Sequence, residues 1–167
     1  MKAEYINPFI NAAINTINTM ASTVSTPGQP YLKSDKKTFG TATGVIGMGG
    51  PALAGNMAIS FDEQCILGIV SRMFMEDITS IDDDIVDAVG ELTNVIAGVA
   101  KKEMSERGLV FDMATPFMLK GQGVEVAQFA KIPIVVIPFK TEFGNFVVVG
   151  WRMNRSYHHR RGMALSL

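Results

Sequence analysis

Apolar residues recur at helical spacing in three stretches of the chain and alternate or run together in the rest. In "PFINAAINTINTMAS", Phe9, Ile10, Ala13, Ile14, Ile17 and Met20 share one helical face, which predicts a first helix with Pro8 in its opening turn and Asn7 as its cap. "FGTATGVIGM" and "ALAGNMAISF" predict two strands joined at "GGP". "DEQCILGIVSRMFM" predicts a second helix capped by Ser60 or Asp62. A third and longer helix runs from about Asp82 to Arg107, opened by Ser80 with Asp83 three residues on and closed by Gly108. Beyond it the pattern turns to strands. "LVFDM" is short, "PFMLKGQGVEVAQF" reads as strand, turn, strand, and "IPIVVIPFK" and "NFVVVGWRM" flank "TEFG" as a hairpin. Strands arriving as hairpins predict an α+β fold, an antiparallel sheet of about six strands with long helices on one face. The segment 25–40, with prolines and lysines, reads as a connection into the first strand, and no repeat of fixed period is visible.

The long helix carries an anomaly. On a wheel of 100° per residue, Ile85, Ala88, Val89, Leu92, Val95, Ile96 and Val99 form the buried arc. Asp87, Glu91, Asn94 and Gly98 form a stripe on the opposite side. Asn and Gly both lower helix propensity, Gly by roughly 1 kcal/mol relative to Ala. The stripe reads either as an ordinary solvated face or as a docking edge. As a docking edge it offers a carboxylate that can pair with a cation, beside a carboxamide that can orient a water molecule.

Composition narrows the rest. The 167 residues are 47% hydrophobic and 19% charged, enough for one folded domain over residues 1–153, followed by a basic tail, 154–167, expected to be partly disordered. A net charge of −1 supplies no field to recruit nucleic acid or a membrane surface. No apolar run is long enough to span a bilayer, the N-terminus carries no secretory signal, and the single cysteine, Cys65, lies in an apolar run, so a cytoplasmic protein with an inert thiol is expected. "GVIGMGG" lacks the ending of a phosphate-binding loop and leads into a strand, so it reads as a turn. Asp82, Asp83 and Asp84 sit at a helix N-terminus, where the dipole favours acids, and His158 and His159 lie together in the tail with no ligand cluster near them in sequence. No nucleophile with a base, no metal cage and no cofactor loop is evident. Glu4 and Asn7 repeat the Glu-x-x-Asn spacing, but with Asn7 expected as a cap they are set aside.

"DAVGELTN" followed by Pro116 resembles the signature of the CheX/CheC/FliY chemotaxis phosphatases: Asp or Ser, Glu four residues on, Asn three further, and a proline a little over twenty beyond. Asp87, Glu91, Asn94 and Pro116 match it, the proline about one position short. The opening "INPF", the G-x-M-x-I-x-F strand at 55–61 and the order of elements resemble CheX in particular, over roughly residues 5–153. CheC-like members carry two such sites, and on this reading the chain keeps one. The resemblance implies a CheC-like fold and hydrolysis of the aspartyl phosphate on a CheY-type response regulator. It implies Asn94 and Glu91 as the catalytic pair, with Asp87 and Gly98 flanking the partner. It further implies no cofactor or metal of the protein's own, Mg²⁺ being supplied by the regulator, and a homodimer joined through sheet edges. The alternative is a non-catalytic module of the same fold that binds a regulator or oligomerises.

Overall fold

The computed structural model describes residues 3–51, 53–126 and 134–153; the tail expected at 154–167 lies outside them. Eleven elements follow in order: α1 (Ala3–Ala21), β1 (Thr26–Pro27), β2 (Tyr31–Lys33), β3 (Ala42–Gly49), β4 (Leu53–Phe61), α2 (Glu63–Phe74), α3 (Asp83–Glu106), β5 (Asp112–Met113), β6 (Phe117–Lys120), β7 (Ile134–Lys140) and β8 (Asn145–Met153). Eight strands make one antiparallel sheet in the order β1-β7-β8-β4-β3-β5, with β2 also on β7 and β6 also on β3. The α+β architecture is as expected, with eight strands rather than about six.

Both predicted hairpins, β3–β4 and β7–β8, form. The surplus strands are short pieces at the edges. β1 and β2 lie inside the segment read as a connection, because two or three mostly exposed residues show no alternation to detect. Of the strand-turn-strand expected over 116–129, the first strand forms as β6, and the second falls partly outside the described residues. β6 pairs with β3, and past it the only recorded pairing among the described residues is the bridge of Glu125 to Lys37; residues 127–133 lie outside the description.

Strand alternation sorts the core into two layers. On one face Ile46, Met57, Ile59, Phe61, Ile137, Phe139, Phe146 and Val148 meet the helices; on the other Val45, Ala58, Val136, Val147 and Val149 are buried with Val126. Segments 36–38 and 124–126 hydrogen-bond to each other, with the Thr38 amide donating to the Val124 carbonyl at 2.8 Å and that of Val126 to Lys36 at 2.9 Å. The connections β2–β3 and β6–β7 therefore meet.

The element order contains two related halves, α1-(β1,β2)-β3-β4 and α3-(β5,β6)-β7-β8. Each lends its short strands to the hairpin of the other: β1 and β2 pair with β7, β5 and β6 with β3. This internal two-fold pattern is not a fixed-period repeat: between the halves the first residue of the helix is displaced by 80 positions, those of the short strands by 86 and those of the hairpin strands by 92.

The helix caps explain where α2 and α3 begin. Asp62 accepts from the Cys65 amide at 2.8 Å and from the Asn145 amide at 2.7 Å, pinning α2 to the β7–β8 turn. Ser60 is instead a β4 residue bonded to Thr43. Asp82, not Ser80, caps α3 through the Ile85 amide at 3.1 Å, and Gly108 with φ 75° follows its end. The start of α1 differs from expectation. The helix runs through Pro8, so Asn7 is an exposed helical residue and not a cap. Pro8 has no N–H to return to the Glu4 carbonyl. Arg107, from the end of α3, donates Nη1 to that carbonyl at 3.2 Å.

Candidate functional site

The buried face of α3 is Ile85, Ala88, Val89, Gly90, Leu92, Thr93, Ile96, Ala97, Ala100 and Met104. It is rotated from the predicted arc: Val95 is half-buried and Val99 is 38% exposed, while Gly90, Thr93, Ala97 and Ala100 turn inward. Small residues let α3 lie close to the sheet. A Cβ on Gly44 of β3 would overlap the Thr93 hydroxyl, so the strand backbone itself is the helix seat. The Thr93 hydroxyl donates to the Val89 carbonyl at 2.7 Å and so is satisfied although buried.

This rotation leaves Asp87, Glu91 and Asn94 exposed, as the stripe requires, whereas Gly98 is half-buried. Among the described residues the side chains of Asp87, Glu91 and Asn94 have no hydrogen bond or ion pair. They open onto a groove of about 540 Å³, whose α3 side is Asp87, Gly90, Glu91 and Asn94. The facing side is the run 113–118, contributing Met113, Ala114, Thr115, Pro116 and Met118. Four of the five signature positions and neighbours singled out in the sequence, Asp87, Glu91, Asn94 and Pro116, therefore meet in one groove; Gly98 is just outside its lining.

The facing wall is fixed at several points. Met113 and Phe117 pair across to Met48 and Val45 of β3, and the Ala114 amide donates to the Gly47 carbonyl at 2.9 Å. Pro116 stands in the gap between those two pairings, where no ladder N–H is needed. The Lys120 ammonium donates to the Ile81 carbonyl at 3.0 Å, and Lys101 of α3 lies 3.7 Å from Asp112. The wall also touches α3 directly at both glycines. A Cβ on Gly90 would stand 2.9 Å from Met118 Sδ, and one on Gly98 4.0 Å from Met113 Cε. The openness expected at Gly98 is thus partly taken by the protein's own methionine. Sequence reasoning did not identify Met113, Thr115 or Met118, which meet α3 only through the sheet pairing, nor Gly90, whose place on α3 matters only because Met118 packs there.

A larger groove, about 640 Å³, lies at the end of α2. Its cation is engaged: Arg72 pairs with Glu142 at 2.6 Å and stacks 4.6 Å from the Phe143 ring centre. Burial pushes the Cys65 thiol up to about 12, with the Thr141 hydroxyl opposing that shift. Among the described residues no group of three or more His, Cys, Asp or Glu could hold a metal ion, and no helix is long and apolar enough to cross a membrane.

Known proteins resemble the chain over most of its length. Over 81% of the chain and 90% of the relative, the sequence is 28% identical to the CheY-P phosphatase CheX of Thermotoga maritima. A CheC-like superfamily protein from Shewanella sp. PV-4 superposes with a TM-score of 0.83 at 37% identity, over 91% of this chain and 99% of that one. Chemotaxis protein CheX from Vibrio vulnificus gives 0.81 at 36% identity, over 90% and 100%. The family model described as "Chemotaxis phosphatase CheX" matches residues 42–140, which contain α3, its exposed stripe and the whole facing wall, and the chain belongs to that family.

Proposed function

We propose that the protein hydrolyses the aspartyl phosphate of a CheY-type response regulator, with Asn94 and Glu91 as the pair inserted into the regulator's site. The observation that carries this is the pair itself: a carboxamide and a carboxylate, adjacent and exposed on a rigid helix, without internal partners among the described residues, at the mouth of a groove.

The chemistry asks little else of the chain. The regulator brings the acyl phosphate, with its own Mg²⁺ and lysine holding the phosphoryl oxygens. A water attacks phosphorus in line, the P–O bond to the aspartate breaks, and the products are the free carboxylate, inorganic phosphate and a proton. Such a transfer depends on positioning and charge stabilisation. The Asn94 carboxamide accepts from and donates to the attacking water, fixing its lone pair on the phosphorus. Glu91 pairs with the regulator's lysine and sets the docked register. Asp87 and Gly98 flank the contact. No metal of the protein's own enters, and a regulator as partner sets the reaction in the cytoplasm. The same reading includes a homodimer joined edge to edge. Its support is that edge strand β2 leaves Tyr31 and Leu32 47% and 66% exposed; sedimentation of the purified chain tests it.

The decisive measurement is phosphate release from a phosphorylated, Mg²⁺-loaded regulator with and without the protein. Acceleration that disappears in Asn94→Ala while the regulator still binds is the expected result. Binding without acceleration by the unaltered protein would make it a non-catalytic regulator-binding module instead.

A further inference from the structure

The two sides of the groove differ in chemistry, and their geometry is tied to Asn94. Gly90 and Gly98 stand four residues before and after it, one helical turn each way. Met118 reaches the helix at the first glycine and Met113 at the second, so two thioethers straddle the carboxamide from the opposite side. Both methionines pack partly into the helix-side core, which holds them in place, yet both also line the groove. Across from them stand the carboxylates of Asp87 and Glu91. The nearby lysines are committed elsewhere, Lys101 beside Asp112 and Lys120 on the Ile81 carbonyl. An occupant must therefore supply a cation to one wall and apolar surface to the other.

We propose that Met113 and Met118 form a wall that packs the methylene stem of a lysine from the response regulator while Glu91 takes its ammonium. The proposal rests on the reading above, in which a regulator lysine meets Glu91. A lysine side chain joins a long apolar stem to a compact terminal charge, which suits a groove with one apolar and one acidic side. Thioethers are polarisable and adaptable, so they can follow a stem that arrives with a partner. Gly90 is then a positioning residue. A methyl group there would push the Met118 thioether off its seat and into the space the stem needs.

The experiment uses the full chain and a CheY-type regulator loaded with beryllofluoride and Mg²⁺. Binding is followed by calorimetric titration, and steady-state dephosphorylation is measured in parallel. Met113→Thr with Met118→Thr is expected to raise Kd and KM about ten-fold with kcat within about two-fold, whereas Met113→Leu with Met118→Leu stays near the unaltered protein. The wall and Glu91 must also act on one side chain. Adding Glu91→Gln to the double threonine variant is therefore expected to weaken binding by clearly less than the product of the separate effects. A full product, or a Kd indifferent to the threonines, overturns the proposal. If the threonine variant does not fold, Gly90→Ala replaces it, and a several-fold rise in Kd supports the wall while an unchanged Kd overturns it. No binding by the unaltered protein would overturn the parent reading, and this one with it. Binding indifferent to the wall overturns this one alone.

Discussion

Helices α1 and α3 lie side by side in opposite directions, tied by Arg107 to Glu4 and by Asn11 to Glu103, and they carry the same short pattern. Glu4 and Asn7 are exposed on α1 as Glu91 and Asn94 are on α3, and Pro30 precedes β2 as Pro116 precedes β6. Their surroundings differ. α3 rests on β3 and faces the 113–118 wall across the groove, whereas α1 packs chiefly on α3 and α2, and its pair lines neither groove described above. The carbonyl of Glu4 is held by Arg107. Spacing on a helix is therefore a weak criterion for a site; the second wall, built by the sheet, is what distinguishes one Glu-x-x-Asn from the other.

Four measurements test that distinction. The largest effect is expected from Asn94→Ala, about a hundred-fold loss of phosphatase acceleration, set against Asn7→Ala with activity within about two-fold. Equal losses would give both helices a working pair. Next is Gly44→Ala, which forces a methyl into Thr93 and unseats α3 from β3; overpacking of this kind costs about 1–3 kcal/mol in chemical denaturation. A variant as stable as the parent would show that α3 does not depend on that seat. Arg107→Ala should cost about 1 kcal/mol by removing the Arg107 hydrogen bond to the Glu4 carbonyl, and Pro8→Ala in that background should recover part of it by restoring a helix N–H. Additive losses would mean the two residues are unrelated. The smallest change is expected at Cys65, on the buried side of α2. A raised thiol pKa means the neutral form persists as pH climbs, so iodoacetamide at about pH 8 should label it only after unfolding.

The stripe on α3 was legible because a 24-residue helix shows its period clearly and its polar side is narrow. Pro116 entered through family resemblance, and the reason it belongs there, a gap in the β3 ladder, needed the sheet. The methionine wall was invisible since its residues reach Asn94 only through pairings that join distant parts of the chain, as Met48 to Met113 does. Pro8 misled in a different way. The rule that places proline at a helix start is sound for a lone helix. Here a side chain from the far end of α3 satisfies the carbonyl that proline abandons, so α1 begins earlier and Asn7 becomes part of it. β1 and β2 were missed because short, mostly exposed edge strands carry no alternation, although the hairpins they border on were plain.

The exchange of edge strands between halves bears on how the chain reaches its shape. Thr26 waits for Lys140, and Lys120 must come back to Ala42, so neither hairpin can finish its sheet from its own half. Contacts so far apart in sequence slow folding. They also make the two halves interdependent: a cut between α2 and α3 would yield two fragments, each missing an edge that only the other provides, suited to reassemble as a complementary pair.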